Sequence, residues 1–158
     1  SLRNAGRLEE SEAQYRKTMR IEGGEVFGFP LSFLLLQQGR FEEAREEILR
    51  WAPKGVPDAS VDSIAVAFDA IQDESLRPRG IAILRYLESS TGHFQRNPPA
   101  AWYALLGDMD GALSVVRRMI DSQSLRLALL NWGRTWPLHD EPRFLSTLDE
   151  IGLPRPGN

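Results

Sequence analysis

Three short polar stretches contain residue types that can carry chemistry. His139-Asp140-Glu141 places an imidazole beside two carboxylates, a combination that can bind a metal ion or transfer protons. Asp108-Met109-Asp110-Gly111 resembles part of a calcium loop, but further oxygen ligands and a closing glutamate are absent at the required spacing. Gly23, Gly24 and Gly28 do not make a phosphate loop, because no lysine follows them and no strand precedes them.

Each reactive combination has a simpler structural interpretation. The His139-Asp140-Glu141 stretch is typical of a polar turn before a capped helix, and the residues from 108 to 111 fit a turn between two helices. The only histidines, His93 and His139, are far apart in the chain, and there is no cysteine to form a disulfide or a thiolate metal site. We therefore predict no enzymatic activity, no catalytic residue, no metal site and no cofactor. A hydrolytic or small-molecule-binding site at His139, Asp140 and Glu141 is the least favoured alternative.

Composition narrows the class of protein. The chain has 158 residues, 42% of them hydrophobic and 26% charged, which is enough apolar material for one globular domain with a real core. The net charge is −3 and lysine and arginine form no stripe, so nothing indicates nucleic-acid binding. No apolar run approaches the roughly 20 residues that a membrane span needs. We expect a cytoplasmic location, with the periplasm also open.

A turn motif recurs along the chain and predicts the elements that position these residues. Gly39-Arg40-Phe41-Glu42-Glu43-Ala44 is nearly repeated at Gly6-Arg7-Leu8-Glu9-Glu10-Ser11, and more loosely at Gly107-Asp108-Met109-Asp110-Gly111-Ala112. The first two glycines are 33 positions apart and the next two 68, about twice the same period. That period is typical of stacked helical hairpins.

The helices predicted after the three turns share one apolar pattern. At the same offsets from the glycine, each has residues for a buried stripe: Leu8, Ser11, Tyr15, Thr18 and Met19; Phe41, Ala44, Ile48, Trp51 and Ala52; Met109, Ala112, Val116, Met119 and Ile120. An amphipathic helix explains each stripe, but only a repeated supersecondary unit explains the shared phase.

The remaining segments are predicted to supply partner helices. Residues 29–38 precede Gly39, and a helix capped by Asn97 with Pro98 in its first position precedes Gly107. Between them we expect a degenerate hairpin. Its first helix carries a stripe of Val61, Ile64, Ala65, Phe68 and Ile71, and its second helix, capped by Ser75, contains Ile81, Leu84 and Leu87 and is closed by Gly92.

The tail is predicted to close the array with two shorter helices. The first runs over residues 125–132 and ends at Gly133. The second is capped by Asp140, begins near Pro142 and buries Phe144, Leu148 and Ile151. A terminal helix that covers the last open apolar face is what a helical array requires.

The turn glycine, the acidic pair and the following small residue resemble the tetratricopeptide repeat. Gly6 to Ile21 and Gly39 to Ala52 match this pattern well and Gly107 to Ile120 fairly, whereas Gly28 departs from the large aromatic residue usual early in a repeat. The resemblance implies an all-α, right-handed superhelix, an α–α solenoid. It would be a single domain with units at about 1–22, 27–53, 58–92 and 97–121 and capping helices over 123–153. Because so little chain precedes Gly6, we expect a fragment of a longer protein.

The tail has a narrower resemblance. The run from Pro137 to Phe144, followed by Gly152-Leu153-Pro154, is similar to the closing segment of the repeat region in bacterial signalling proteins. In that group the repeats follow a nucleotide cyclase or a winged-helix regulator domain. This resemblance implies a sensing or scaffolding role in a signalling protein.

The expected function is protein or peptide binding, without catalysis, in the concave groove of the superhelix. The family pattern places seven residues in that groove: Phe29, Phe33, Gln37, Ser63, Ala67, Asn97 and Ala101. The competing interpretation makes Phe29 and Phe33 core residues, and the region of Trp132 and Trp136 is a second possible recognition patch. The partner could also be an upstream domain of the same chain. A homodimer through the Leu8, Tyr15 and Met19 face is the main alternative.

Overall fold

The computed structural model describes residues 2–21, 28–56, 59–92, 94, 99–121, 136–153 and 155. Within these residues the chain is helical and contains no strand, which confirms the all-α prediction. The helices belong to two compact units, Ser1–Asp69 and Ala70–Asn158. The boundary between the units falls inside the predicted third repeat.

The described residues of the first unit form four α-helices: α1, Leu2–Ile21; α2, Gly28–Gln37; α3, Phe41–Gly55; and α4, Val61–Asp69. Helices α2 and α3 form a hairpin, and α4 packs against α3. The core of this unit consists of large apolar side chains from these three helices, among them Leu31, Leu35, Ile48, Trp51, Ile64 and Phe68. Ala44 is fully buried in α3, as the predicted stripe requires.

The second unit contains α5, Arg77–Ser90; α6, Ala100–Leu105; α7, Met109–Asp121; and α8, Pro142–Glu150. Short 3₁₀ helices occur at Glu74–Leu76 and Trp136–Leu138. Helices α6 and α7 form a hairpin, and the second 3₁₀ helix packs against α6. The buried residues again follow the predicted stripes and include Leu84, Leu87, Trp102, Ala112, Val116, Phe144 and Leu148.

Three helices end in the same backbone motif. Gly39, Gly107 and Gly152 have φ values of 76°, 78° and 71°, a region that glycine enters without a steric penalty. After Gly39, the Arg40 amide donates to the Leu35 carbonyl at 2.9 Å, and after Gly107 the Asp108 amide donates to the Tyr103 carbonyl at 2.9 Å. These bonds complete a Schellman motif that satisfies the last carbonyls of each helix. The turn predicted at Gly39 and at Gly107 is thus confirmed.

The turn predicted at Gly6 is wrong. Helix α1 runs without interruption from Leu2 to Ile21, so Gly6 lies inside it. A glycine in a helix costs only about 1 kcal/mol relative to alanine, and strong helix formers surround Gly6. The stripe on this helix also differs from the other two, because Ser11 is exposed and Leu8, Tyr15, Thr18 and Met19 are only partly buried.

The caps of the degenerate hairpin differ from those predicted. Asp73, not Ser75, caps the short helix before α5, and its carboxylate accepts the Ser75 amide at 2.9 Å. Helix α5 ends at Ser90, and the residue at its C-cap is Thr91 rather than Gly92. Ser75 donates both its backbone amide and its hydroxyl to the Asp73 carboxylate. It therefore lies inside the short helix that Asp73 caps, instead of capping α5.

Two helix starts and one core residue in the second unit also differ. Glu141, not Asp140, caps α8, and Ile151 is 39% exposed rather than buried. Helix α6 begins at Ala100 with Pro99 at its cap. The predicted cap at Asn97 and the predicted helix over 125–132 lie outside the described residues, as does Trp132.

Candidate functional site

The structure places the predicted groove phenylalanines in the core of the first unit. Phe29 and Phe33 are 8% and 3% exposed, and their rings are 4.6 Å apart between centroids. The ring of Phe29 also contacts Trp51, at 5.7 Å. Burying three aromatic rings together removes a large apolar area from water, so the core interpretation of Phe29 and Phe33 holds. Neither side chain is open to a ligand.

Four of the other five predicted groove residues belong to the described part of the chain. Ala67 in the first unit and Ala101 in the second are both buried. Gln37 and Ser63 are partly exposed, and both belong to the first unit. Asn97 lies outside the described residues. The described groove residues therefore contribute mainly to packing.

His139, Asp140 and Glu141 do not converge on a site. The His139 ring stacks on Phe144 at 6.5 Å between centroids, whereas Asp140 points into solvent. Glu141 accepts from the backbone amide of Arg143 and from its guanidinium, at 3.4 and 2.9 Å. Within the described residues, no group of three or more histidine, aspartate or glutamate side chains is arranged to hold a metal ion.

A surface that the sequence did not point to gathers polar side chains from the helices of the second unit. We call it the charged surface; it comprises Arg85, Glu88, Tyr103, Asp108, Asp110, Ser114, Arg117, Arg118, Asp121 and Arg143. Residues 110, 117 and 118 lie on the same face of α7 as residue 114, because each is three or four positions from it; the opposite face carries the buried Ala112, Val115 and Val116.

Two open depressions lie side by side on the charged surface. The first, of about 460 Å³, is lined by residues that include Arg85, Glu88, Tyr103 and Asp108. The second, of about 330 Å³, is lined by residues that include Arg117 and Arg143. Asp110, Ser114 and Arg118 line both, so the two depressions form one continuous polar surface.

Glu88 is the most enclosed carboxylate of this surface, with only 13% of its side chain exposed. Its Oε1 accepts from Arg118 Nη2 at 2.7 Å, and its Oε2 accepts from the hydroxyl of Tyr103. Burial raises the pKa of Tyr103, and the hydrogen bond to Glu88 raises it further. The tyrosine therefore stays protonated and holds the carboxylate in place.

Asp108 is held in a similar way. Its Oδ1 accepts the Gly111 amide at 2.9 Å, which satisfies a free donor at the start of α7, and its Oδ2 accepts from Arg85 Nη2 at 3.2 Å. Gly111 leaves room for this carboxylate, since a Cβ there would lie 2.5 Å from Asp108 Oδ2.

The arginines of the charged surface keep unused donors. A guanidinium has five N–H groups, yet Arg85 and Arg118 each donate one to Asp108 and Glu88, respectively. Arg117 is exposed and makes no ion pair or hydrogen bond in the described part of the chain. By contrast, every oxygen of Glu88 and Asp108 already accepts from the protein. Among the described residues, Asp110 Oδ2 and the exposed Asp121 carboxylate accept no hydrogen bond, but these few oxygens are outnumbered by the unused arginine donors.

Only part of this surface carried a signal in the sequence. Arg85 and Glu88, three positions apart, are recognisable as an exposed helical face, but nothing indicates that α6 and α7 lie beside them. The ring of Tyr103 is buried, at 2% exposed. Its hydroxyl nevertheless reaches Glu88, a polar contact that depends on tertiary packing.

Comparison of the chain with protein-family models, with curated proteins and with solved structures gives no match. In the part of the chain that the structure describes, no helix combines the length and apolarity required to cross a bilayer.

Proposed function

We propose that this chain is a helical-repeat interaction domain that binds an extended, acid-bearing peptide on the charged surface of its second unit. The observation that carries the proposal is the excess of unused arginine donors around two adjoining depressions. Guanidinium groups form strong, directional hydrogen bonds to carboxylates, so a peptide with aspartate or glutamate side chains suits these donors.

Electrostatics favours one direction for the peptide. The second depression has three arginines, Arg117, Arg118 and Arg143, against two aspartates. The first has Arg85 and Arg118 against three carboxylates. The acidic side chain of the ligand would sit near Arg117, and a neutral or basic residue would face Glu88 and Asp108.

The architecture supports an interaction role. The α2–α3 and α6–α7 hairpins share the Schellman turn and bury the small residues Ala44 and Ala112 at the same offset. This regularity supports the proposed tetratricopeptide-like repeat, and we propose that the repeat serves as a sensing or scaffolding part of a bacterial signalling protein in the cytoplasm. The side chains that form such a repeat are used for packing, which leaves the exposed polar surface for recognition.

A peptide array tests the proposal. Immobilised 12-residue peptides of acidic, neutral and basic composition are probed with the full chain, and binders are measured in solution by calorimetry. Acidic peptides should bind best, and Arg117→Gln combined with Arg118→Gln should weaken binding about tenfold or more, because charge-assisted hydrogen bonds are lost.

The control is Arg79→Gln, which removes one exposed arginine of α5 outside the two depressions. It should leave the affinity unchanged. If the Arg117/Arg118 double variant bound as tightly as the control, or if only basic peptides bound, the proposed site would be excluded.

A second candidate is homodimerisation through α1. From Arg7 to Arg20 no side chain of α1 is fully buried, and Leu8, Tyr15 and Met19 stay partly exposed on one face. Light scattering over a wide concentration range should then give a dimer, and Leu8→Gln combined with Met19→Gln should give a monomer. A monomer at every concentration in the unmodified chain contradicts this candidate.

A further inference from the structure

Helix α1 differs from the other helices of the first unit in how it is attached. Helix α3 buries Ala44, Ile48 and Trp51, each less than 5% exposed. By contrast, none of the α1 side chains from Arg7 to Arg20 is fully buried. Over residues 7–20, the apolar contribution to the docking of α1 is correspondingly smaller than that of α3, since hydrophobic stabilisation scales with the buried area.

Charged side chains of α1 make specific contacts with the α2–α3 hairpin. Glu12 accepts from Arg16 Nε at 2.7 Å and from Arg40 Nη1 at 2.6 Å. Arg16 also lies 3.9 Å from Glu47 of α3. At the two ends of this network, Arg50 pairs with Glu47 and Glu43 pairs with Arg40.

These contacts form a chain of alternating charges. Its order is Arg50, Glu47, Arg16, Glu12, Arg40 and Glu43, and it passes from α3 to α1 and back to the α2–α3 turn. The two links that hold α1 are Glu47–Arg16 and Glu12–Arg40. The fork of Arg40 makes the second link possible, because Nε and Nη2 bind Glu43 while Nη1 reaches Glu12.

We propose that α1 is a detachable helix, fastened to the α2–α3 hairpin mainly by this chain of alternating charges, and that rising ionic strength or acid releases it. The inference does not depend on the proposed peptide site, because all of its residues belong to the first unit.

Salt should weaken the attachment of α1 without weakening the packing of α2 against α3. The side chains of Arg16 and Arg40 are 40% and 35% exposed, so mobile ions can reach both links. The Debye length falls from about 10 Å at 0.1 M salt to about 3 Å at 1 M, which weakens exposed pairs. The apolar contact between α2 and α3 is not weakened in this way.

Acid acts on the link between Glu12 and Arg40. The groups that face Glu12 are Arg16 from its own helix and Arg40 and Gln38 from the α2–α3 turn, while Glu43 and Glu47 are the next charges on α3. Burial raises the pKa of Glu12, but the bonds from Arg16 and Arg40 outweigh burial, so its pKa is lowered. The contribution of Glu12 to the attachment is therefore complete above about pH 4.5 and is lost as the pH falls through its lowered pKa.

Hydrogen exchange of the full chain, read by mass spectrometry on α1 and α3 peptides, tests the inference. A released helix loses the tertiary packing that supplies most helical stability in proteins, so its amides exchange faster than in the docked state. Between 0.05 and 1 M NaCl, exchange in α1 should rise about three- to fivefold, the range expected for a weak ionic attachment, while exchange in α3 stays constant.

Matched variants assign the effect to the network. Glu12→Gln should raise α1 exchange at low salt about threefold and remove most of its salt dependence. Glu10→Gln makes the same change of charge at an exposed position of α1 and should do neither. Salt-independent exchange in α1, equal effects of the two variants, or a parallel rise in α3 would overturn the proposal.

Discussion

The α2–α3 and α6–α7 hairpins have the same type of turn, but the residues that follow the turn glycine carry opposite charges. The residue after the turn glycine is Arg40 in the first unit and Asp108 in the second, and the amide of each closes the same Schellman motif. Arg40 binds Glu12 of the preceding helix α1 at 2.6 Å, whereas Asp108 binds Arg85 of the preceding helix α5 at 3.2 Å.

The two hairpins share the backbone geometry of the turn but not the charge of the residue that follows its glycine. Backbone geometry after the left-handed glycine directs the next side chain back toward an earlier helix, so that position suits a long-range polar link. The sign of the charge is free, because either partner can carry it. Only Asp108 also caps its own helix, since a short carboxylate reaches the Gly111 amide and an arginine has no acceptor.

The largest expected effect concerns the small residue that the two hairpins share. Ala44→Phe and Ala112→Phe should each lower the free energy of unfolding by about 1–3 kcal/mol, because both sites are fully buried and cannot accept added volume. Thermal and urea unfolding measure the change. Glu46→Gln, at an exposed position of α3, is the control and should stay within about 0.5 kcal/mol. A tolerated phenylalanine at only one site would break the equivalence of the hairpins.

The turn glycines should respond in the opposite sense from Gly6. Gly39→Ala and Gly107→Ala should destabilise the chain by about 1–2 kcal/mol, because alanine is strained at positive φ. Gly6→Ala should instead stabilise α1 by up to about 1 kcal/mol, because Gly6 lies inside a helix. Urea unfolding distinguishes the signs. If Gly6→Ala destabilised the chain, Gly6 would instead lie in a turn with positive φ, as the sequence predicted.

The bond between Tyr103 and Glu88 has no counterpart in the first hairpin. Tyr103→Phe should cost about 1–2 kcal/mol, since Glu88 loses one of its two donors. Because the folded pKa of Tyr103 is raised, its contribution is complete below the usual tyrosine pKa of about 10 and falls as the pH rises above it. Unfolding measured from pH 8 to 11 should show this loss in the parent chain and a smaller one in the variant.

The smallest effect is expected for Arg85, the exposed partner in the ion pair between Arg85 and Asp108 of the second unit. Arg85 is 68% exposed, so Arg85→Gln should change the stability by no more than about 1 kcal/mol and less at high salt. Asp108→Ala should cost more than Arg85→Gln, because it also removes the cap of α7. Equal values for the two variants would mean that the cap contributes nothing.

Local signals predicted most of the fold. The glycines at 39 and 107, the stripes of α3 and α7 and the helical stretches before them all follow from backbone preferences and periodicity within one hairpin. The errors occurred where a local signal had two solutions. Gly6 resembles a turn glycine in its sequence context, yet a continuous helix was the better solution there.

The candidate site was predicted far less well, for a physical reason. Phe29 and Phe33 lie on a helix that is apolar on several faces, so the sequence does not specify which face meets Trp51. Glu47 has the composition of a surface position but is only 7% exposed, because Arg16 and Arg50 pair with it. A buried charge of this kind depends on partners from other parts of the chain.

The sequence by itself determined that the chain is helical, where two of its turns lie and which residues of α3 and α7 are buried. These properties depend on interactions within a few residues. The tertiary structure alone decided that Arg40 reaches Glu12 and that Arg85, Glu88, Tyr103 and Arg118 meet on one surface. Such contacts join residues 15 to 30 positions apart, and only the packing of whole helices sets those distances.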